Sequence, residues 1–224
     1  MIDPEFWVRL AGIVLIDLTL AGDNALVIAL AVRTLPRTLQ FWGRIWGTVG
    51  AVGLRLAFIA VATYLLEVPF LQAAGGLLLL WIAYKLVRPQ SGADGEHGGV
   101  RQGATLKEAI WIIIVADAVM SLDNVLAVAA AAHGDLTLVV IGIGLSLPLV
   151  VWGSTFLSMC MERWRWIIWV GGGVLGYVAG EMMMRDLSRR WPTTPHGLAI
   201  AVSLLLAVCI AGLGFWFQQT PSEA

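Results

Sequence analysis

The 224-residue chain is 59% hydrophobic and only 13% charged, with a mean hydropathy of +0.84 and a formal net charge of -1. That balance excludes an ordinary soluble domain, and without a clustered basic surface it excludes a nucleic-acid partner. Cys160 and Cys209 lie in apolar runs with neither CxxC spacing nor a nearby histidine pair, which argues against a disulfide framework or a thiolate metal centre and leaves both as packing residues.

Apolar runs long enough to cross ~30 Å of hydrocarbon predict membrane helices at 5–32, 41–66, 69–87, 108–132, 136–160, 166–184 and 196–217. The first begins after MIDPEFW, which is acidic where a secretory signal would be basic, so it is expected to remain as a membrane helix. Helix-start chemistry marks Asp3-Pro4, Thr105 with Glu108 as a capping box, and Thr194-Pro195. Pro148 is expected to kink the fifth span. Between the third and fourth spans lies a Gly- and charge-rich loop, VRPQSGADGEHGGVRQGATLK. No separate soluble domain is expected.

Arg33, Arg37 and Arg44 flank the first connection, Lys85, Arg88, Arg101 and Lys107 the third, and Arg163 and Arg165 the fifth. By the positive-inside rule these three face the cytoplasm of a cell inner (plasma) membrane, with the N-terminus outside and the C-terminus inside. Arg185, Arg189 and Arg190 in the sixth connection run against that assignment. Aromatic pairs at helix ends, such as Phe41-Trp42 and Trp164-Arg165-Trp166, suit the headgroup layer.

An offset of 100 residues sets IDLTLAGDNALVIALAV beside ADAVMSLDNVLAVAAAA, so Asp17, Asp23 and Asn24 meet Asp117, Asp123 and Asn124. A weaker echo at 96 pairs Gly75-Gly76 with Gly171-Gly172 and Lys85 with Glu181. Each half then holds three helices, an odd number, so the second copy must be inverted in the membrane, which is transporter architecture. The expected fold is an all-α polytopic membrane protein with seven transmembrane helices: two inverted three-helix repeats plus one extra C-terminal helix. Residues 1–90 form the first repeat, 91–106 a cytoplasmic hydrophilic loop, 107–190 the second repeat, and 191–224 the seventh helix and a short tail. That last helix is assigned to packing or to a homodimer contact.

Four aspartates at mid-span would cost ~2.5–3.5 kcal/mol each if they faced lipid, on the order of 10 kcal/mol together, which marks them as functional. On an ideal helix Asp17 and Asn24 share a face while Asp23 lies about 100° round, so one straight helix cannot aim all three at one point. Ala21-Gly22-Asp23-Asn24 offers a break; Ser121-Leu122-Asp123-Asn124 lacks the glycine. Four carboxylates and two carboxamides form a hard oxygen set suited to Mg, Ca or Mn, and the motifs hold no histidine or cysteine for zinc or copper. Asp17, Asp23, Asn24, Asp117, Asp123 and Asn124 are therefore the candidate metal residues. No resident cofactor or catalytic residue is expected; the cation is cargo.

Met120 is read as an apolar contact rather than a thioether ligand, and Met182-Met183-Met184 as packing. Arg55, mid-span in the second helix, is expected to compensate an aspartate of the site. Lys85 and Glu181 hold matching places near helix ends, where snorkelling is cheap, and a direct pair between them is the less favoured reading. Gly43-x3-Gly47 and Gly172-x3-Gly176-x3-Gly180 allow close helix packing in lipid.

At DLTLAGDNALVIA and DAVMSLDNVLAVA the chain resembles the TerC family of integral membrane proteins, in its short YjbE-type branch, over nearly its whole length. The resemblance implies manganese efflux and the supply of manganese to proteins maturing outside the membrane, with the acidic motif falling on the six residues above. Outward movement of a dication works against an inside-negative potential by ~4.6 kcal/mol per 100 mV. Export therefore needs coupling, and proton exchange is expected. The alternatives are a small-solute or amino-acid exporter of the lysine-exporter superfamily, to which the family is similar, and an intramembrane aspartyl protease, for which Gly22-Asp23 is a faint signal.

Overall fold

In a computed structural model of the chain, residues 7, 10–15, 17, 22–68, 70–88, 105–131, 136–191 and 196–219 are described, with backbone alone at 60, 62–67, 123–131, 136, 190, 196, 218 and 219. They are all-helical, without a strand among them. The N-terminal helix α1 covers residues 10–15, and Asp17 is helical beyond it. It is followed by α2 (Gly22–Val32), α3 (Arg37–Glu67), α4 (Leu71–Val87), α5 (Leu106–Ala131), α6 (Leu136–Arg163), α7 (Trp166–Arg190) and α8 (His196–Gln219).

Three stretches combine the length and apolarity needed to cross a membrane: Thr137–Arg163, Trp166–Arg189 and Gly197–Phe217. Helices α3 and α5, at 31 and 26 residues, also exceed the ~20 residues of a span. Several helices overrun the apolar runs that predicted them, because a helix continues past the hydrocarbon into water where charges are cheap. Thus α3 starts at Arg37 and α7 continues through Arg185, Asp186, Arg189 and Arg190, so the basic sixth connection is mostly a helix end.

Local signals account for several boundaries. Thr105 Oγ1 accepts the Glu108 backbone N–H at 3.2 Å, as the capping box requires, although the Glu108 carboxylate turns instead to Lys85. Helix α4 follows Phe70, whose φ of 60° is left-handed and whose side chain cannot cap. Asp186, buried at the far end of α7, supplies the missing acceptor by taking the Ala73 N–H at 3.1 Å. Pro148 lies inside α6, which stays helical throughout. The expected caps at Asp3 and Thr194 lie outside the described residues.

From Asn24 onward α2 is buried on every side, as an apolar helix without a polar face must be. The main core joins it to α4, α5 and α7, and a second cluster joins Leu10 and Ile13 of α1 to Ile59 of α3 and Leu138, Val139 and Ile143 of α6. The most extensive packing pairs are α7 with α8, α3 with α5, and α4 with α7.

Glycines let these helices approach. A Cβ on Gly47 would stand 2.7 Å from Ile113, and one on Gly76 2.7 Å from the Ala179 carbonyl oxygen. On α7, a Cβ on Gly176 would lie 2.8 Å from the Leu206 carbonyl oxygen, and one on Gly180 2.7 Å from Ser203 Cα. The small-residue stripes thus serve packing. Met182 and Met183 close over Gly75 and Gly76, so the methionine run packs too.

These contacts also set direction. Gly43, Gly47 and Gly50 of α3 meet Leu106, Ile113 and Ile114 in ascending order, so α3 and α5 run parallel. Gly142 of α6 meets Leu10 and Ile13, and Gly153 meets Ala25, so α6 runs parallel to α1 and α2. Gly75 and Gly76 meet the far part of α7 while Val87 meets Gly172, so α4 and α7 are antiparallel. Helix α8 runs antiparallel to α7 and turns Leu204, Leu205, Val208 and Trp216 outward.

Candidate functional site

The Arg55 guanidinium links the two halves of the chain. It reaches from α3 with Nη1 2.5 Å from Asp17 Oδ1 and Nη2 2.6 Å from Asp117 Oδ1 of α5. Nε–H donates to Ser121 Oγ at 3.0 Å, and that hydroxyl donates in turn to Asp117 Oδ2 at 3.2 Å, one helical turn back. The Ser146 hydroxyl of α6 rests against Asp17 Oδ2. All three charged groups are nearly inaccessible, at 2% for Asp17, 9% for Asp117 and 6% for Arg55. Charges so deeply buried persist only when paired and hydrogen-bonded, and here each one is.

A cavity of about 430 Å³, counting the space at its mouth, opens beside this cluster. Its wall includes Asp17, Asn24, Thr48, Arg55, Asp117 and Ser146 among apolar side chains such as Val27, Val52, Ile113 and Val150. Asn24 Oδ1 and Thr48 Oγ1 are buried there without a hydrogen-bond partner. An unsatisfied buried acceptor costs ~1–3 kcal/mol, which is tolerated where a ligand is to be met.

Of the six candidate metal residues, Asp17, Asn24 and Asp117 come together at this cavity. Asp23 does not line it. That residue is half-buried in the first turn of α2, where its Oδ1 accepts the Asn24 N–H at 2.9 Å and its charge suits the positive end of the helix. The side chains of Asp123 and Asn124 lie outside the described residues, as do residues 18–21 around the expected break in the first copy. In the second copy the backbone of α5 is helical from Leu106 to Ala131, so no break falls at Ser121-Leu122-Asp123-Asn124. Without a glycine there, nothing offsets the loss of main-chain hydrogen bonds. Among the described residues no three Asp, Glu, His or Cys side chains converge on a single point.

Other charges resolve locally. Lys85 pairs with Glu108 at 2.5 Å and lies over the Trp81 ring, whereas Glu181 pairs with Arg185 on its own helix. The two do not meet, because α4 and α7 are antiparallel and matching positions fall at opposite ends. Met120 is buried in the main core and does not line the cavity. Ser121, Ser146 and Thr48 were missed from the sequence, since single hydroxyls in apolar helices commonly bond their own backbone. One signal could have found two of them: at an offset of 98, between the 100 and 96 of the flanking segments, Thr48 meets Ser146 and Val52 meets Val150.

A buried carboxylate pair bridged by a guanidinium inside an all-helical apolar chain fits an integral membrane protein with a transporter-like interior. The model of the integral membrane protein TerC family matches residues 2–222, and the chain belongs to that family. It is 40% identical over 218 residues to the membrane protein YjbE of Bacillus subtilis (strain 168), covering 97% of this chain and 98% of the relative. It is 28% identical over 177 residues to the membrane protein YkoY of the same organism, covering 76% and 50%. It is 27% identical over 140 residues to the inner membrane protein YgdQ of Escherichia coli (strain K12), covering 55% and 58%. No solved structure gives a significant match.

Proposed function

We propose that the chain exports a divalent metal ion, with Mn2+ favoured, through the cavity between its two halves and in exchange for protons. The observation that carries this is the pairing of Asp17 and Asp117 beside two unpartnered oxygens, Asn24 Oδ1 and Thr48 Oγ1. Such a set is all oxygen and suits Mg, Ca or Mn. Preference for manganese comes from the family resemblance. Asp23, Asp123 and Asn124 are proposed to join the site in another state of the transport cycle.

Helix directions support inverted repeats of three helices. Exchanging the halves turns the parallel pair α3 with α5 into the parallel pair α6 with α1 and α2, and leaves the antiparallel pair α4 with α7 unchanged. Cytoplasmic placement of the Arg37, Lys85 and Arg165 end follows from the positive-inside rule.

A protease reading is disfavoured because an aspartic dyad needs two carboxyls sharing a proton, and here a guanidinium separates them. The deciding experiment expresses wild type, Asp17→Asn and Asp117→Asn in a manganese-sensitive, exporter-deficient bacterium. Wild type is expected to lower intracellular Mn2+ severalfold and restore growth, and both variants to lose at least ten-fold of the efflux rate. Manganese unaffected by wild type, with efflux of an amino acid instead, would transfer the site to the small-solute reading. Acidification linked to Mn2+ movement in proteoliposomes tests the coupling.

A further inference from the structure

Arg55 stands where a cation held by both carboxylates would have to stand. Its two terminal nitrogens each take one aspartate, from different halves of the chain, so a divalent ion bridging Asp17 and Asp117 cannot share that position with the guanidinium. The arginine also breaks the symmetry of the site. At the offset that pairs Thr48 with Ser146, Arg55 falls opposite Gly153, where an added Cβ would find no neighbour nearer than Ala25 Cβ at 4.0 Å. One half carries a tethered cation and the other carries only a glycine.

The hydroxyls differ in the same sense. Ser146 rests against Asp17, while Thr48 Oγ1 and Asn24 Oδ1 are buried in the same cavity with no partner. Two partnerless oxygens, beside two carboxylates that share a single guanidinium, offer lone pairs that a bound cation would take.

We propose that Arg55 is a built-in substitute for the transported ion. It occupies the carboxylate pair in the ion-free protein, withdraws when a divalent cation binds Asp17, Asp117, Asn24 Oδ1 and Thr48 Oγ1, and returns to displace that cation on release. Asp17, Asp117 and Arg55 sum to -1, and replacing the guanidinium by a dication gives zero, so neither state leaves two buried carboxylates unopposed. The flexible arginine stem lets the head group move without displacing α3. This rests on the metal-transport reading above.

The test measures Mn2+ binding to the full chain in lipid nanodiscs, by electron paramagnetic resonance of free Mn2+, and efflux in proteoliposomes. Arg55→Gln is expected to bind Mn2+ at least tenfold tighter and turn over at least tenfold more slowly; Arg55→Lys, which cannot fork onto both carboxylates, should fall between. Methylguanidinium at millimolar concentration is expected to compete with Mn2+ in Arg55→Ala but not in wild type, and Thr48→Val to weaken binding severalfold. In wild type, bound Mn2+ should increase modification of Arg55 by phenylglyoxal severalfold, a readout that holds even where a variant does not fold.

Binding that is unchanged or weaker in folded Arg55→Gln, or Arg55 modification that Mn2+ leaves unchanged or lowers, overturns the proposal. Wild-type binding that Asp17→Asn abolishes and Arg55→Gln does not tighten keeps the metal reading and removes this one. No saturable binding by wild type or Arg55→Gln removes both.

Discussion

Asp17 is held in the interior by two neighbours on different helices, Arg55 on α3 and Ser146 on α6. Removing the weaker partner isolates what a neutral donor contributes. Ser146→Ala is expected to lower stability in detergent by about 1 kcal/mol, between the ~0.6 kcal/mol average and the ~1.7 kcal/mol maximum found for interhelical hydrogen bonds in membranes. Thermal unfolding of the purified protein measures it, and a loss below the detection limit would mean that water replaces the hydroxyl. The aspartates, and the pairing of Arg55 with one of them, were legible in the sequence because a charge in an apolar run has few ways to exist. That one guanidinium would take an aspartate from each half was not, since nothing along the chain says which side chain fills the space between two helices. Ser146 and Asp186 were hidden for the same reason: their partners, Asp17 and the Ala73 amide, are more than 100 residues away.

At the scale of elements, the α7–α8 contact depends on glycines whose neighbours are backbone. Gly176 faces the Leu206 carbonyl oxygen and Gly180 the Ser203 Cα, neither of which can turn aside as a side-chain tip can. Gly176→Leu is expected to destabilise by about 1–3 kcal/mol through overpacking. Gly212→Ala, where nothing lies within 4 Å of the added Cβ, is expected to be neutral or slightly stabilising. Unfolding midpoints of the two variants check the contrast, and equal effects would count against this helix pair. The spacing of these glycines was visible beforehand as a packing stripe. Its partner helix was not, because a small-residue stripe records that something approaches closely without recording what.

Across the whole molecule, one end of the bundle gathers Arg37 with Glu162 and Lys85 with Glu108, and the opposite end holds Arg185, Asp186 and Arg189. Cysteine introduced at Arg37 is expected to react with a membrane-impermeant maleimide only after the cytoplasmic side is opened, and cysteine introduced at Arg189 in intact cells. The reverse pattern would invert the orientation, with the basic end of α7 deciding it instead of the three odd connections. Composition and hydropathy by themselves determined the lipid surroundings, the helical class and the position of most helices, since twenty or so apolar residues with paired backbone groups can form little else in a bilayer. The internal echo at Asp17 and Asp117 likewise marked two residues that line one cavity, because buried charge is costly wherever it falls. Only the tertiary structure decided that these aspartates share Arg55, that Asp23 stays at the start of α2, and that Asn24 and Thr48 face the cavity without partners. Those outcomes depend on distances between helices, which local propensity and periodicity do not encode.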